Sequence, residues 1–395
     1  VQVKLEKIID VKIILLGIYF VITYCSVFNL IRTELQLLIF TLLVIVYLDK
    51  VKLRSIIGVL LLTGVNILGF IFAQNFNFGF WDPINFVMKY IALFQVFVLY
   101  DIFMSLEKEN KTLILKLVLF SFIITNLVSI YYNLGDPYAI RYRPANYMFI
   151  INFNQYYSLP MLISTILANI LFEKRITLLT LITFISSIIV LIIGNLVTGL
   201  VLGVLSSFLV FIFWISKSNR FKQVVAVVFT FLMVLFLRSP IANLIRNIST
   251  LKFLSPMVSA KLLVAALFLE GGEISSTLIT RNELSNYAME SFKANPLFGL
   301  PYTEYRFGTI SSHADWYDFL AVNGLIGLGS LVIVIIDFII RIIHKMKTET
   351  DFVSFLISLI IFIVLGFLNP NFSVETLLMT FVVSSNMSSI KCEDN

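Results

Sequence analysis

Two cysteines and two histidines in 395 residues leave little for disulfide or metal chemistry. Cys25 falls in the first apolar run and Cys392 beyond the last one, so the pair builds neither a disulfide framework nor a thiolate site. Charge is equally scarce. Asp, Glu, Lys and Arg make up 13% of the chain, about half their share in soluble domains. No GxxxxGK[ST] phosphate loop occurs, and the polar connections DKVKLR, SLEKENK, EKR, SKSNRFKQ and HKMKTET are too short to fold into a nucleotide-binding domain. There is no internal repeat of the kind that marks many secondary transporters. The first apolar run lacks a following small-residue cleavage site, which argues against a cleaved signal peptide.

What the chain has instead is apolar length. Its hydrophobic content is 59% and its mean hydropathy +0.97, which predicts an all-α, polytopic membrane protein. About twelve transmembrane helices are expected, since each needs roughly 17 to 25 apolar residues. They cover 11–30, 35–48, 56–73, 84–104, 113–132, 156–172, 176–193, 197–215, 224–237, 316–342, 352–368 and 374–387. The second and last are short enough for re-entrant segments. Most of the 29 basic residues lie in the short connections on one side. By the positive-inside rule both termini are cytoplasmic. The net charge of +6 follows from these anchors and calls for no nucleic acid. Lys89 is the one basic residue well inside an expected span. The resulting organisation is an N-terminal bundle (1–237), a long extracytoplasmic loop (238–315), and C-terminal helices with a cytoplasmic tail (316–395).

The polar run 280–327 holds most of the chemically capable side chains. Upstream of it, 261–270 (KLLVAALFLE) is apolar but too short to cross, so it lies on the bilayer surface or over the bundle. Thr280 and Glu283 read as a capping box that starts a helix, with Leu284, Tyr287, Ala288 and Phe292 on one face and Pro296 as its stop. Arg281 then sits in the first turn, where a cation opposes the macrodipole and an anion nearby would offset it. His313 falls just outside the start of a span, whereas His344, beside Arg341 and Lys345, reads as an interfacial anchor. Gly324, Gly327 and Gly329 are small residues suited to close helix packing.

Arg281, NPLFGL (295–300), Ser312 with His313, and AVNGLIG (321–327) together resemble the long-loop signature of the O-antigen ligase and Wzy polymerase superfamily. Arg141 and Arg143, followed by INFNQYYSLPML (151–162), resemble its earlier arginine and span entry. The chain departs from the pattern at Pro301, at Ala314, and at VTG (197–199), where the family has SRG. Such variation favours a polymerase over a ligase.

The resemblance implies a GT-C-like helical bundle in the bacterial cytoplasmic membrane. It implies metal-independent, inverting glycosyl transfer from an undecaprenyl-pyrophosphate-linked oligosaccharide on the outer face, with no cofactor. The donor is already activated, so the protein needs only a base and anion-binding cations. His313 is the candidate base, since an imidazole titrates near neutrality. Arg281 with Arg141 or Arg143 would bind the pyrophosphate, Arg306 with Tyr302 and Tyr305 would contact sugar or phosphate, and Lys89 would snorkel or face a lipid head-group cavity. Asp315 and Asp318 either bond His313 or start the next helix. Expected partners are membrane lipid, a flippase and a chain-length regulator. The competing readings are a ligase, which needs a second acceptor; a flippase, expected to carry charge across the membrane depth; and a sensor or scaffold without turnover.

Overall fold

The computed structural model describes residues 11–72, 81–142, 147–174, 176–194, 196–216, 238–251, 256–270, 276–299 and 314–390. Among them the chain is all helical, without a strand. The helices are α1 (Val11–Tyr24), α2 (Arg32–Val46), α3 (Leu53–Phe72), α4 (Trp81–Ser105), α5 (Lys108–Gly135), α6 (Ala139–Tyr142), α7 (Phe153–Glu173), α8 (Leu178–Ile193) and α9 (Val197–Ile215). After them come α10 (Arg238–Ser249), α11 (Pro256–Glu270), α12 (Ser276–Ala294), α13 (Asp315–Ile343), α14 (Glu349–Leu368) and α15 (Val374–Leu378). Every expected span within the described residues falls on a helix; the one at 224–237 lies outside them. Among the described residues five helices, α5, α7, α9, α13 and α14, are long and apolar enough to cross a membrane.

The distribution of polarity identifies the surroundings. α8 exposes Leu178, Leu181, Ile185 and Ile189, while Thr183, Ser186 and Ser187 are buried. Asn126 of α5 donates to the hydroxyls of Ser186 and Ser187, each at 3.0 Å. A soluble amphipathic helix would turn the other way. Aliphatic side chains outward and hydrogen-bonded small polar ones between helices are the pattern of a membrane-embedded bundle, where contact with lipid costs an aliphatic side chain nothing.

α7 is the central element, packed on α8, α9 and α14. Its start is fixed by Asn152, whose side chain accepts the Gln155 N–H at 2.7 Å, while Gln155 Oε1 accepts the Asn152 N–H at 3.2 Å. Pro160 interrupts the helix interior. Ser206 of α9 donates to the Pro160 carbonyl at 3.1 Å and ties the neighbouring helix to this point. Gly194 and Gly199 flank the Tyr156 ring, and a Cβ at either would stand within 2.4 Å of it. Gly199 of the VTG segment thus serves ring packing. The last apolar segment is short and almost wholly buried: α15 runs into a π-helical turn, Met379–Val383, lodged among α4, α7 and α14.

The stretch expected as a long loop is largely helical. α10 and α11 pack on each other, with Val258, Leu262 and Ala266 of α11 buried along one face. Residues 261–270 thus belong to a helix that packs chiefly on α10 and also touches α9. α12 begins at Ser276 rather than at Thr280, so the expected Thr280–Glu283 capping box does not form its start. The polar residues Ser276 and Thr277 open the helix a turn earlier. Arg281 consequently lies beyond the first turn, where the macrodipole penalty has faded. The helix ends at Ala294, before Pro296, as expected.

Candidate functional site

The two halves of the 280–327 run are locked together by main-chain contacts. NPLFG (295–299) folds into a turn closed by the Gly299 N–H on the Asn295 carbonyl at 2.8 Å. It docks on α13 where Gly324 breaks the helix. The Leu325 N–H donates to the Pro296 carbonyl at 2.9 Å and the Ile326 N–H to the Leu297 carbonyl at 3.1 Å. Both glycines hold left-handed conformations, with φ of 73° at Gly299 and 61° at Gly324. A Cβ on Gly299 would reach the Val322 backbone at 2.4 Å, and one on Gly324 the Leu297 carbonyl at 2.4 Å. Only glycine permits both the backbone angles and the approach. The contact joins the end of α12, which carries Arg281, to the middle of the first half of α13, whose start follows His313 in the chain.

At that start Asp315 is 1% exposed. Its Oδ1 receives the Lys89 ammonium at 2.5 Å, and its Oδ2 accepts the N–H groups of Asn371 and Phe372 at 2.6 and 2.8 Å. Lys89 also lies over the Phe319 ring, 5.3 Å from its centroid. Lys89 is thus paired with a buried carboxylate. Asp315 does begin the helix, and in addition holds α4 and the segment before α15 to it.

The same segment reaches a second pair. Glu375 Oε1 receives Arg32 Nη1 at 3.0 Å, with side-chain exposures of 6% and 7%. Asn152 Nδ2 approaches that oxygen at 3.4 Å. Arg32 also donates from Nε to the Ile22 carbonyl at 3.1 Å, from Nη2 to the Cys25 carbonyl at 3.2 Å, and to the Asn29 side chain. A guanidinium so fully engaged by protein groups is a structural tie between α2, α15 and the entry to α7. Residues 371–375 therefore link Lys89 and Asp315 to Arg32 and Asn152 at one end of the bundle.

Arg141 is half-buried on α6, whose Ala139 and Ile140 are sealed against the bundle and which packs on α5. Arg281 is placed on α12 by its backbone. His313, Arg143 and Arg306, with Tyr302 and Tyr305, lie outside the described residues. The structure brings Lys89 to the residue two positions after His313, and α12 onto α13, while Arg141 stands on a separate wall. Two members of this end, Arg32 and Glu375, escaped the sequence reading. Arg32 looked like one more charge between spans, and its partner is more than three hundred residues away in the chain.

No family model matches the chain, and no curated protein matches it.

Proposed function

We propose that the protein is a polymerase that joins undecaprenyl-pyrophosphate-linked oligosaccharide repeat units at the outer face of the bacterial cytoplasmic membrane. The observation that carries the reading is the docking of NPLFG on the broken helix at Gly324. Two sequence segments that resemble one signature meet through contacts that require their glycines; Arg281 lies on the helix that leads into the first, and His313 precedes in sequence the helix that carries the second.

In this reading His313 takes the proton from the acceptor sugar hydroxyl. The freed oxygen attacks the anomeric carbon from the face opposite the pyrophosphate, the glycosidic bond forms as the carbon–phosphate-oxygen bond breaks, and configuration inverts. Arg281, with Arg141 or Arg143, holds the departing pyrophosphate and stabilises its growing charge, worth about 2.7 to 4 kcal/mol per preorganised donor. Arg306 lies on the same loop and contacts sugar or phosphate. The Lys89–Asp315 pair holds the start of α13 in place, two residues after His313 in the chain.

Purified protein supplied only with lipid-linked repeat units should build a ladder of longer glycans, and His313→Ala should abolish it. A variant that polymerises at the normal rate removes His313 as the base. Extension that waits for a different acceptor lipid or protein would make the enzyme a ligase. Passage of substrate across proteoliposomes without a new glycosidic bond would make the protein a flippase.

A further inference from the structure

The end of the bundle away from Asp315 holds a cavity that the proposed reaction does not use. α13 spans 29 residues, or about 43 Å at 1.5 Å per residue, and its far end opens into a polar pocket of about 480 Å³. Lys108 and Lys111 reach it from the start of α5, and Lys345 and Lys347 from the turn after α13. The lining also includes two carboxylates, Asp351 and Glu173.

Those carboxylates are already occupied by neutral donors. Asp351 accepts the Ser388 N–H at 3.0 Å, the Ser388 hydroxyl at 2.6 Å and the Thr348 hydroxyl at 2.8 Å. Glu173 accepts the Thr350 hydroxyl at 2.7 Å. Among the described residues none of the four lysines forms an ion pair with a carboxylate. Lys111 instead donates to the Met104 carbonyl at 3.2 Å, and Lys345 lies over the Tyr100 ring. All four line one concavity, Lys111 and Lys345 part-buried and Lys108 and Lys347 exposed. Four ammonium groups against two carboxylates leave an excess of two positive charges, the complement of a phosphate monoester, which bears about −1.5 to −2 at neutral pH.

We propose that this cavity binds a phosphate monoester, supplied either by a lipid head group or by a small soluble phosphate. Its volume is in the range that encloses small ligands. The electrostatics agree with the geometry. Burial, with the neighbouring charges of Lys52 and Lys111 adding to it and the Asp101 carboxylate opposing them, lowers Lys345 to about 8, a cost that a bound anion would relieve. The proposal does not depend on the glycosyl-transfer reading, because it uses none of the same residues.

The test is calorimetric titration of the detergent-purified full chain with glycerol 3-phosphate, and separately with dioctanoyl phosphatidic acid. Lys345→Gln/Lys347→Gln and Lys111→Gln are the site variants, and Lys50→Gln is an exposed control off the cavity. Saturable binding of glycerol 3-phosphate that weakens at least about tenfold in the double variant and is kept in the control establishes a soluble ligand. Binding of phosphatidic acid alone, with the same loss, establishes a lipid head group. Lys111→Gln, on a different element, guards against a local folding defect in the turn. It should weaken binding with an unchanged melting temperature. Binding of neither probe, or equal loss in Lys50→Gln, overturns the proposal and leaves the lysines as membrane-surface anchors.

Discussion

Arg32 and Glu375 form an ion pair at 3.0 Å, buried at the point where α1, α2, α7 and α15 converge. Removing one member strands the other in a low-dielectric interior, which costs about 3 to 5 kcal/mol. Arg32→Met and Glu375→Gln should each lower the thermal unfolding temperature of the detergent-solubilised protein sharply. The double variant should cost less than the two singles together by more than about 1 kcal/mol, because each single already breaks the same contact. Additive losses would mean that the pair contributes nothing as a pair.

Lys89 and Asp315 differ in burial, and the difference predicts an asymmetry. The Asp315 side chain is 1% exposed and that of Lys89 18%. Asp315→Ala strands the Asn371 and Phe372 N–H groups as well as the ammonium, each buried donor costing about 1 to 3 kcal/mol. Lys89→Met leaves the carboxylate with both backbone donors and should be the milder change. Unfolding temperatures of the two variants measured side by side decide it, and equal losses would count against the backbone contacts as the main role of Asp315.

The three glycines of the α13 start should separate by sign. Gly324→Ala and Gly299→Ala each place a side chain in a left-handed conformation and against backbone at 2.4 Å, a loss of at least about 2 kcal/mol. Gly329 has nothing within 4 Å of its missing Cβ, so Gly329→Ala should be neutral or stabilise the helix by up to about 1 kcal/mol. Limited proteolysis and thermal unfolding would report both. A destabilised Gly329→Ala would mean that this position packs against a neighbour after all.

These examples mark what a sequence makes legible. Helices announce themselves through long apolar runs, whereas 295–300 with 321–327 stood out through their resemblance to a family signature, and the left-handed glycines at 299 and 324 that join them became visible only in the structure. The start of α12 was less legible, since Ser276, Thr277 and Thr280 all resemble caps. The ion pairs were not legible at all. Lys89 and Asp315 lie 226 positions apart, and Arg32 and Glu375 343 apart. No local periodicity carries information across such distances. Each charge read alone looks like an anchor at a membrane surface.

Lys345 gives a pH dependence whose direction can be worked out. Its folded value of about 8 is below the 10.5 of the free side chain. Below pH 8 both states hold the proton, and the repulsion from Lys52 and Lys111 is present in full. Between about 8 and 10.5 the unfolded chain holds a proton that the folded one has released, so stability rises with pH across that window. Lys345→Gln should flatten this rise in unfolding temperatures measured from pH 7.5 to 10. An unchanged slope would assign the effect to another group.

Arg281, proposed to be catalytic, and Arg32, held in a structural tie, give a contrast that can be measured. Arg32 spends its donors on Glu375 and on the Ile22 and Cys25 carbonyls, so Arg32→Ala should lower the unfolding temperature and reduce activity only in proportion to the folded protein lost. Arg281 is proposed to act on the departing pyrophosphate, so Arg281→Ala should slow glycan ladder formation about 10²- to 10³-fold at an unchanged unfolding temperature. Arg281→Lys should recover only part of that rate, because an ammonium cannot reproduce the two-pronged grip of a guanidinium on phosphate oxygens. Full activity in Arg281→Ala would exclude this residue from the transfer step and leave Arg141 or Arg143 to hold the leaving group.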